Sequence, residues 1–158
     1  MTAIRRRWVV LGFVAAIIAA AGIGYVTTIS SQSGARIDPD NARLVALGGA
    51  VYAAECAACH GANLEGQPNW RQRRADGRLP APPHDPSGHT WHHPDAQLFA
   101  LTKFGPAALA GGGYESDMPA YAETLSDDEI WAVLSYIKSR WPAQIRERHD
   151  QINSAAQQ

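Results

Sequence analysis

The hydrophobic positions of this chain form one long uncharged run near the N-terminus and three shorter stretches with helical spacing further on. The uncharged run covers residues 8–29 and follows a basic segment, 1–7, that contains three consecutive arginines. A helix rises about 1.5 Å per residue, so a run of this length matches the hydrocarbon core of a membrane, which is about 30 Å thick. The next basic residue is Arg36, and the positive-inside rule therefore places the N-terminus in the cytoplasm.

We predict a transmembrane anchor at 8–29 and a short polar linker at 30–37. The rest of the chain then lies on the periplasmic, extracytoplasmic side of the inner (cytoplasmic) membrane. A signal peptide is the alternative, because Ala19-Ala20-Ala21 offers small residues for a cleavage site. Apolar residues continue beyond these alanines to Val26, which favours an uncleaved anchor. Both interpretations export the remainder of the chain.

Three amphipathic stretches after the linker predict an all-α domain, and no stretch has the alternation of a strand. The first helix is predicted from Asp38 as N-cap, with Pro39 in its first turn. The second begins at Pro94 and stops at the following Gly-Pro pair. The third begins with a capping box at Ser126 and ends before Pro142. The remaining predicted segments are the loops 66–94 and 106–124, the folded domain as a whole at 38–142, and a polar tail at 143–158 that we expect to fray.

Composition and charge narrow the class of protein. The chain is 46 % apolar and 18 % charged, which excludes a disordered or collagen-like chain. After the basic segment 1–7 it has 11 basic and 15 acidic residues, a net charge of −4. No basic stripe follows that segment, so the sequence predicts no nucleic-acid partner.

The two cysteines, Cys56 and Cys59, are three residues apart and are followed at once by His60. Cysteines this close cannot cross-link distant parts of a fold. In a helical turn, positions i, i+3 and i+4 project on the same side, which lets two thiols form thioethers to a porphyrin while the imidazole reaches the iron. A redox dithiol would need a βαβ context, and a zinc site would need further ligands at the right spacing. The C-x-x-C-H spacing therefore favours covalent haem attachment.

With this motif the chain resembles the class I (mono-haem) cytochromes c of membrane-anchored bacterial type, over residues 40–141. In that family a glycine lies eight residues before the first haem cysteine and an aromatic residue four before it, and here these positions are Gly48 and Tyr52. The resemblance implies that the last helix crosses the first at this glycine, where we expect Val133 and Tyr136 to meet it. It also implies a cytochrome c-like fold, with three to four helices around one covalently attached haem c.

The resemblance implies a methionine as the second axial ligand of the iron, in the loop before the last helix. Apart from Met1, the one methionine of the chain is Met118. We therefore expect His60 and Met118 to be the axial ligands. The alternatives to Met118 are the loop histidines His84, His89, His92 and His93. A methionine raises the reduction potential relative to a second histidine and leaves no open coordination position, which favours an electron carrier over a catalyst.

Other residues around the 66–94 loop also concern the haem. The family uses a proline carbonyl to accept a hydrogen bond from the axial histidine, and the candidates here are Pro82 and Pro83. Trp91 and Leu98 are candidates for the wall of the haem pocket. The four histidines of the loop raise a second hypothesis, a copper or other metal site, although histidines on irregular loops more often face solvent.

These features predict a membrane-tethered electron carrier, not an enzyme, that passes single electrons between a donor protein and an acceptor protein. The alternative is the cytochrome subunit of a membrane-bound dehydrogenase or oxidase complex, which differs in having a permanent partner. Catalysis or gas sensing by the haem is a third hypothesis, and it requires an exchangeable axial position. The acidic balance of the exported part suggests that redox partners present a basic docking patch.

Overall fold

The computed structural model describes residues 36–158, so the predicted basic segment 1–7, the anchor 8–29 and most of the linker 30–37 lie outside the described residues. Within 36–158 every regular element is a helix and none is a strand, which confirms the predicted all-α fold. The elements are α1 (Ala42–Val51), a π-helical segment (Tyr52–Cys56), α2 (Ala57–His60), a 3-10 turn (Thr90–His92), α3 (Asp95–Phe104), α4 (Pro106–Ala110), α5 (Asp127–Ser139) and α6 (Ala143–Ala156).

Helix α1 begins later than predicted. Its N-cap is Asn41, whose side chain accepts a hydrogen bond from the backbone N–H of Leu44 at 3.1 Å. The prediction of Asp38 as N-cap is wrong because its carboxylate accepts from the N–H of Asp40 at 3.2 Å, a local turn that aspartate favours. The backbone N–H of Asp38 donates to Ser135 Oγ on α5 at 2.9 Å, which ties the start of the domain to that helix.

Helices α1 and α5 cross at Gly48. A β-carbon at this position would lie 1.9 Å from the carbonyl oxygen of Ala132 and 2.9 Å from Cβ of Tyr136, so only glycine permits the approach. Tyr136 is therefore at the crossing, as expected. The other nearest contact belongs to Ala132 and not to Val133, because positions four apart share a helix face. Val133 is instead buried in the core.

Helix α5 places an apolar face on the core. Its capping box is as predicted, since Ser126 Oγ accepts from the N–H of Glu129 and the Glu129 carboxylate accepts from the N–H of Ser126. Each large apolar side chain buried on this face contributes about 1.5–3 kcal/mol to folding. These buried positions are Ile130, Val133, Leu134 and Ile137, followed beyond the helix end by Trp141.

Helix α3 begins after Pro94 and ends at Gly105, as the sequence predicts. The next residues form the short helix α4, so the prediction of a continuous loop over 106–124 is wrong at its start. Pro106 fits the first position of a helix because the missing N–H would have no intrahelical partner there. Gly105, with φ 78°, makes the turn between the two helices.

The polar stretch after Pro142 is helix α6 and not a frayed tail, so that prediction is wrong. The helix packs on the domain through His149 and Asn153, which are both buried. The side-chain amide of Asn153 donates to the Asp95 carboxylate at 2.8 Å and accepts from the Asp95 backbone N–H at 2.7 Å. A hydrophobic pattern cannot reveal this docking because its specific contacts are hydrogen bonds.

We expect His149 to make the fold less stable as the pH falls. Its Nε2 lies 3.0 Å from the carbonyl oxygen of His93, an arrangement in which the neutral ring donates. Burial lowers the pKa of His149 below 6.5, and Lys138 adds to this, against the opposing effect of Asp95 and Asp150. The unfolded chain therefore takes up the proton first, and stability is lost as the pH falls below about 6.5.

The measurement is the free energy of unfolding of the haem-loaded protein at about pH 7.5 and about pH 5.5. The loss between these two values should be smaller in His149→Gln than in the wild type. The exposed His92 provides the matched control, and His92→Gln should lose as much stability as the wild type. An equal loss in His149→Gln and the wild type would contradict the prediction.

Candidate functional site

Cys56, Cys59 and His60 lie where the first helical stretch continues through the π-helical segment into α2. His60 is buried, Cys56 is half-buried and Cys59 is exposed. The hydroxyl of Tyr52 donates to the carbonyl oxygen of Gly61 at 2.9 Å and so links the residues on either side of the motif. Burial raises the pKa of the Cys56 thiol to about 11. A redox dithiol needs a lowered pKa, so this environment disfavours the dithiol hypothesis.

A backbone carbonyl orients the His60 ring. The ring Nδ1 lies 2.8 Å from the carbonyl oxygen of Pro82, so Nδ1–H donates and the lone pair of Nε2 is left for a metal. Burial lowers the pKa of His60, against the smaller effect of this hydrogen bond, and favours the neutral imidazole that binds metals. Pro82 thus makes the contact for which both prolines were candidates. The Pro83 carbonyl instead lies 3.4 Å from the hydroxyl of Thr90.

Two glycines pack against the backbone of Pro82 and Pro83, Gly66 on the peptide between them and Gly88 on the peptide that follows Pro83. A β-carbon on Gly66 would lie 2.4 Å from Pro83 N and 2.7 Å from the carbonyl carbon of Pro82. One on Gly88 would lie 2.0 Å from the Pro83 carbonyl oxygen. The N–H of Gly66 also donates to the carbonyl oxygen of His60 at 2.7 Å. Gly66 therefore contacts both the end of the helix that carries the imidazole and the peptide that orients it.

A second imidazole, that of His84, stacks on the His60 ring, with the ring centroids 4.0 Å apart and 22° between the planes. Nδ1 of His84 lies 2.8 Å from Thr90 Oγ1, and Trp141 Nε1–H donates to the backbone carbonyl of His84 at 2.7 Å. A ligand on the opposite face of the iron cannot stack face to face with the His60 ring. This contact removes His84 from the alternative axial ligands.

Of the other histidines of the 66–94 loop, His89 and His93 lie edge to face with their ring centroids 5.4 Å apart. His89 stacks on Trp70 with the ring centroids 5.3 Å apart, and His92 is exposed with its ring beside Trp91. No group of three or more side chains that could hold a metal ion comes together within residues 36–158. The hypothesis of a copper site in this loop therefore gains no support from the described part of the chain.

Met118 lies in the loop between α4 and α5, where it is half-buried and packs against the core. Tyr121 fixes the part of the loop that follows. Its N–H donates to the carbonyl oxygens of Thr102 and Lys103 at 3.2 and 3.1 Å. Its hydroxyl donates to the carbonyl oxygen of Glu55, directly before the first cysteine, at 2.9 Å. Burial raises the pKa of Tyr121 to about 12, so this hydroxyl remains a donor at neutral pH.

Two buried side-chain nitrogens of the described residues have no hydrogen-bond partner, Nε1 of Trp91 and Nε of Arg78. Nε of Arg78 lies 3.5 Å from the carboxylate of Glu115. The indole N–H of Trp91 has no such neighbour, and a bound group with carboxylates, such as the propionates of haem, offers the acceptor that it lacks. Leu98 is buried, and Trp91 is half-buried against the core. The thiols, the neutral imidazole and the unsatisfied indole donor together fit a covalently attached haem.

Comparison with known proteins bears on the same residues. A family model described as cytochrome c matches residues 45–141, which is more than half of the chain. No curated protein and no solved structure matches the chain. The matched range includes the C-x-x-C-H motif, the helix crossing at Gly48 and the loop that contains Met118. The chain therefore belongs to the class I, mono-haem cytochromes c, a family of haem-based electron-transfer proteins, and binds one covalently attached haem c.

Proposed function

We propose that this cytochrome transfers single electrons between proteins through an iron ligated by His60 and Met118. The observation that supports this most directly is the 2.8 Å contact between His60 Nδ1 and the Pro82 carbonyl, which leaves Nε2 as the metal donor. The half-buried position of Met118 against the core adds support. When bound, the haem supplies a one-electron Fe(II)/Fe(III) couple.

Residues of this chain tune the potential of that couple in opposite directions. By accepting a hydrogen bond, the Pro82 carbonyl increases the basicity of the His60 imidazole and so favours Fe(III). The thioether of Met118 favours Fe(II). Apolar surroundings, including the buried Leu98, keep water away and disfavour the more highly charged Fe(III) state. Ligation from both faces leaves no open position, which suits a carrier rather than a catalyst.

We further propose that residues 8–29 anchor the domain to the periplasmic face of the inner membrane. The support is the uncharged run and the arginines before it. Among the described residues, the stretch Ala42–His60 is also long and apolar enough to cross a membrane. It contains both haem cysteines and crosses α5 at Gly48, so we assign it to the haem domain. A tether raises the effective concentration of the domain near membrane-bound partners.

The proposed partners are an electron donor and an electron acceptor on the same side of the membrane. The net charge of −4 after residue 7, made more negative by haem propionates, suits partners with a basic docking patch. Electron-transfer complexes of this kind are usually small and transient, which allows one carrier to serve two partners in turn.

Replacing Met118 tests the proposed ligation. We expect the oxidised wild-type protein to show the weak far-red absorption band of thioether-to-Fe(III) charge transfer. In Met118→Leu, which keeps the apolar volume but lacks the sulfur, the band should disappear and the reduction potential should fall. The reduced variant should also bind carbon monoxide rapidly at neutral pH, because an axial position has become open.

The control for this experiment is Leu109→Ala, which truncates an exposed apolar side chain on α4 and should keep the band. Acid-acetone extraction should leave the pigment on both variants, since the thioethers do not depend on the axial ligand. A wild-type protein without the band, or a Met118→Leu protein that retains it, would refute ligation by Met118.

A further inference from the structure

The loop that follows Trp70 contains four arginines, and two of them contact the residue next to Met118. Arg74 Nη2 donates to Asp117 Oδ2, and Arg78 Nη1 donates to Asp117 Oδ1 at 2.7 Å. Each carboxylate oxygen of Asp117 therefore has its own guanidinium donor. The guanidinium groups hold the pKa of Asp117 below its usual range.

Two more contacts join the same loops. Arg78 Nε lies 3.5 Å from the carboxylate of Glu115. The guanidinium of Arg73 lies over the ring of Tyr114, 5.7 Å from its centroid. Tyr114, Glu115 and Asp117, all within four residues of Met118, therefore each contact an arginine of the 71–78 segment. Several charges in one network contribute more than isolated surface pairs do.

The chain before Met118 has little else to hold it. Gly111, Gly112 and Gly113 are exposed, have φ between 59° and 75°, and have open space where a β-carbon would be. The other hydrogen bonds of this stretch are local, from Tyr114 N–H to Gly111 and from Met118 N–H to Ser116. Within the described residues, the polar contacts of 111–118 with other parts of the chain all go to the arginine segment.

The two sides of Met118 are therefore fixed differently. On its C-terminal side, Tyr121 hydrogen-bonds to the backbone of α3 through its N–H and to the π-helical segment through its partly buried hydroxyl. On its N-terminal side, ion pairs hold the loop in place. These pairs are exposed: the side chains of Arg74 and Asp117 are 43 % and 44 % exposed. Bulk salt screens exposed pairs but not buried backbone hydrogen bonds.

We propose that Arg74, Arg78 and Asp117 form an electrostatic latch that positions the loop of Met118 and limits how often its thioether leaves the iron. The inference rests on the proposed ligation by Met118. The three residues are positioning residues, and they act through the loop rather than by touching the haem. Without the latch, the thioether of Met118 still binds the iron, but the loop opens more often.

Ligand replacement on the oxidised, haem-loaded full-length protein measures this opening. At saturating imidazole, the replacement rate reports how often Met118 leaves. We expect the rate in Asp117→Asn to be about fivefold higher than in the wild type at low salt, because two exposed ion pairs are lost together. The wild-type rate should rise as salt increases from about 10 mM to about 1 M, since the Debye length falls from about 30 Å to about 3 Å. The rate in Asp117→Asn should change little with salt.

The double variant Arg74→Gln/Arg78→Gln should reproduce the faster replacement from the other side of the latch. Two controls each remove one charge of the same sign nearby. The controls are Glu123→Gln, in the same loop as Asp117, and Arg71→Gln, in the same segment as Arg74. Neither Glu123 nor Arg71 forms an ion pair within residues 36–158. Both controls should replace the ligand at the wild-type rate.

The outcomes separate this inference from the ligation on which it rests. A wild-type protein without the far-red band overturns the ligation and the latch together. A wild-type protein with the band, combined with equal replacement rates in Asp117→Asn, the double variant and the wild type, overturns the latch alone. Faster replacement in both latch variants, with wild-type behaviour in both controls, supports it.

Discussion

Replacing Gly48 by alanine is expected to lower the free energy of unfolding by about 3 kcal/mol. The added methyl group would lie 1.9 Å from the carbonyl oxygen of Ala132 and 2.4 Å from its carbonyl carbon. Both are backbone atoms of α5, so no side-chain rotation relieves the clash, and the two helices must separate. Chemical denaturation of the haem-loaded protein, followed by far-ultraviolet circular dichroism, measures the loss.

Gly49 provides a control in the same turn of α1. An alanine there would approach only ring carbons of Tyr136, at 3.4 Å. Alanine favours a helix over glycine by about 1 kcal/mol, so Gly49→Ala should be as stable as the wild type or more stable. Because both variants gain the same helix propensity, their difference isolates the contact at the crossing. Equal stability of the two variants would show that α1 and α5 do not meet as closely as the structure has them.

The elements that sequence reasoning predicts correctly depend on local signals. The capping box at Ser126 and the stop of α3 at Gly105 need only a few neighbouring residues, and both appear as expected. The predicted start of α1 is wrong because Asp38 and Asn41, three residues apart, are both residue types that favour the N-cap position. The hydrogen bond from Asp38 N–H to Ser135, a residue far along the chain, favours the later start. Helix α6 is missed because its docking uses buried polar groups rather than an apolar face.

The candidate site divides in the same way. The positions of the haem cysteines and of His60 follow from their spacing, and the region of the Pro82 carbonyl follows from the family resemblance. The stacking of His84 on His60 and the ion pair between Arg78 and Asp117 do not. Both depend on the path of long loops rich in glycine and proline, for which neither periodicity nor propensity supplies a register.

Replacing Gly66 by alanine is expected to raise the reduction potential by an amount on the order of tens of mV. A β-carbon there would lie 2.7 Å from the carbonyl carbon of Pro82 and 2.4 Å from Pro83 N, so the peptide must move. We expect that movement to lengthen the hydrogen bond from His60 Nδ1, now 2.8 Å, and so to make the imidazole, the proposed axial ligand, a weaker donor to the iron. Fe(III) loses more stabilisation than Fe(II) does, and the potential therefore rises.

Gly77 separates this effect from backbone strain. Gly66 and Gly77 have φ values of 69° and 82°, so alanine costs about 1–2 kcal/mol of conformational strain at either position. A β-carbon on Gly77 would meet nothing within 4 Å, so Gly77→Ala should lose stability without a change in potential. Protein-film voltammetry measures the potential, and the exchange rate of the His60 Nδ1 proton in NMR spectra reports the hydrogen bond directly. Equal potentials in Gly66→Ala and Gly77→Ala would show that the close packing of Gly66 on the Pro82–Pro83 peptide does not control the axial imidazole.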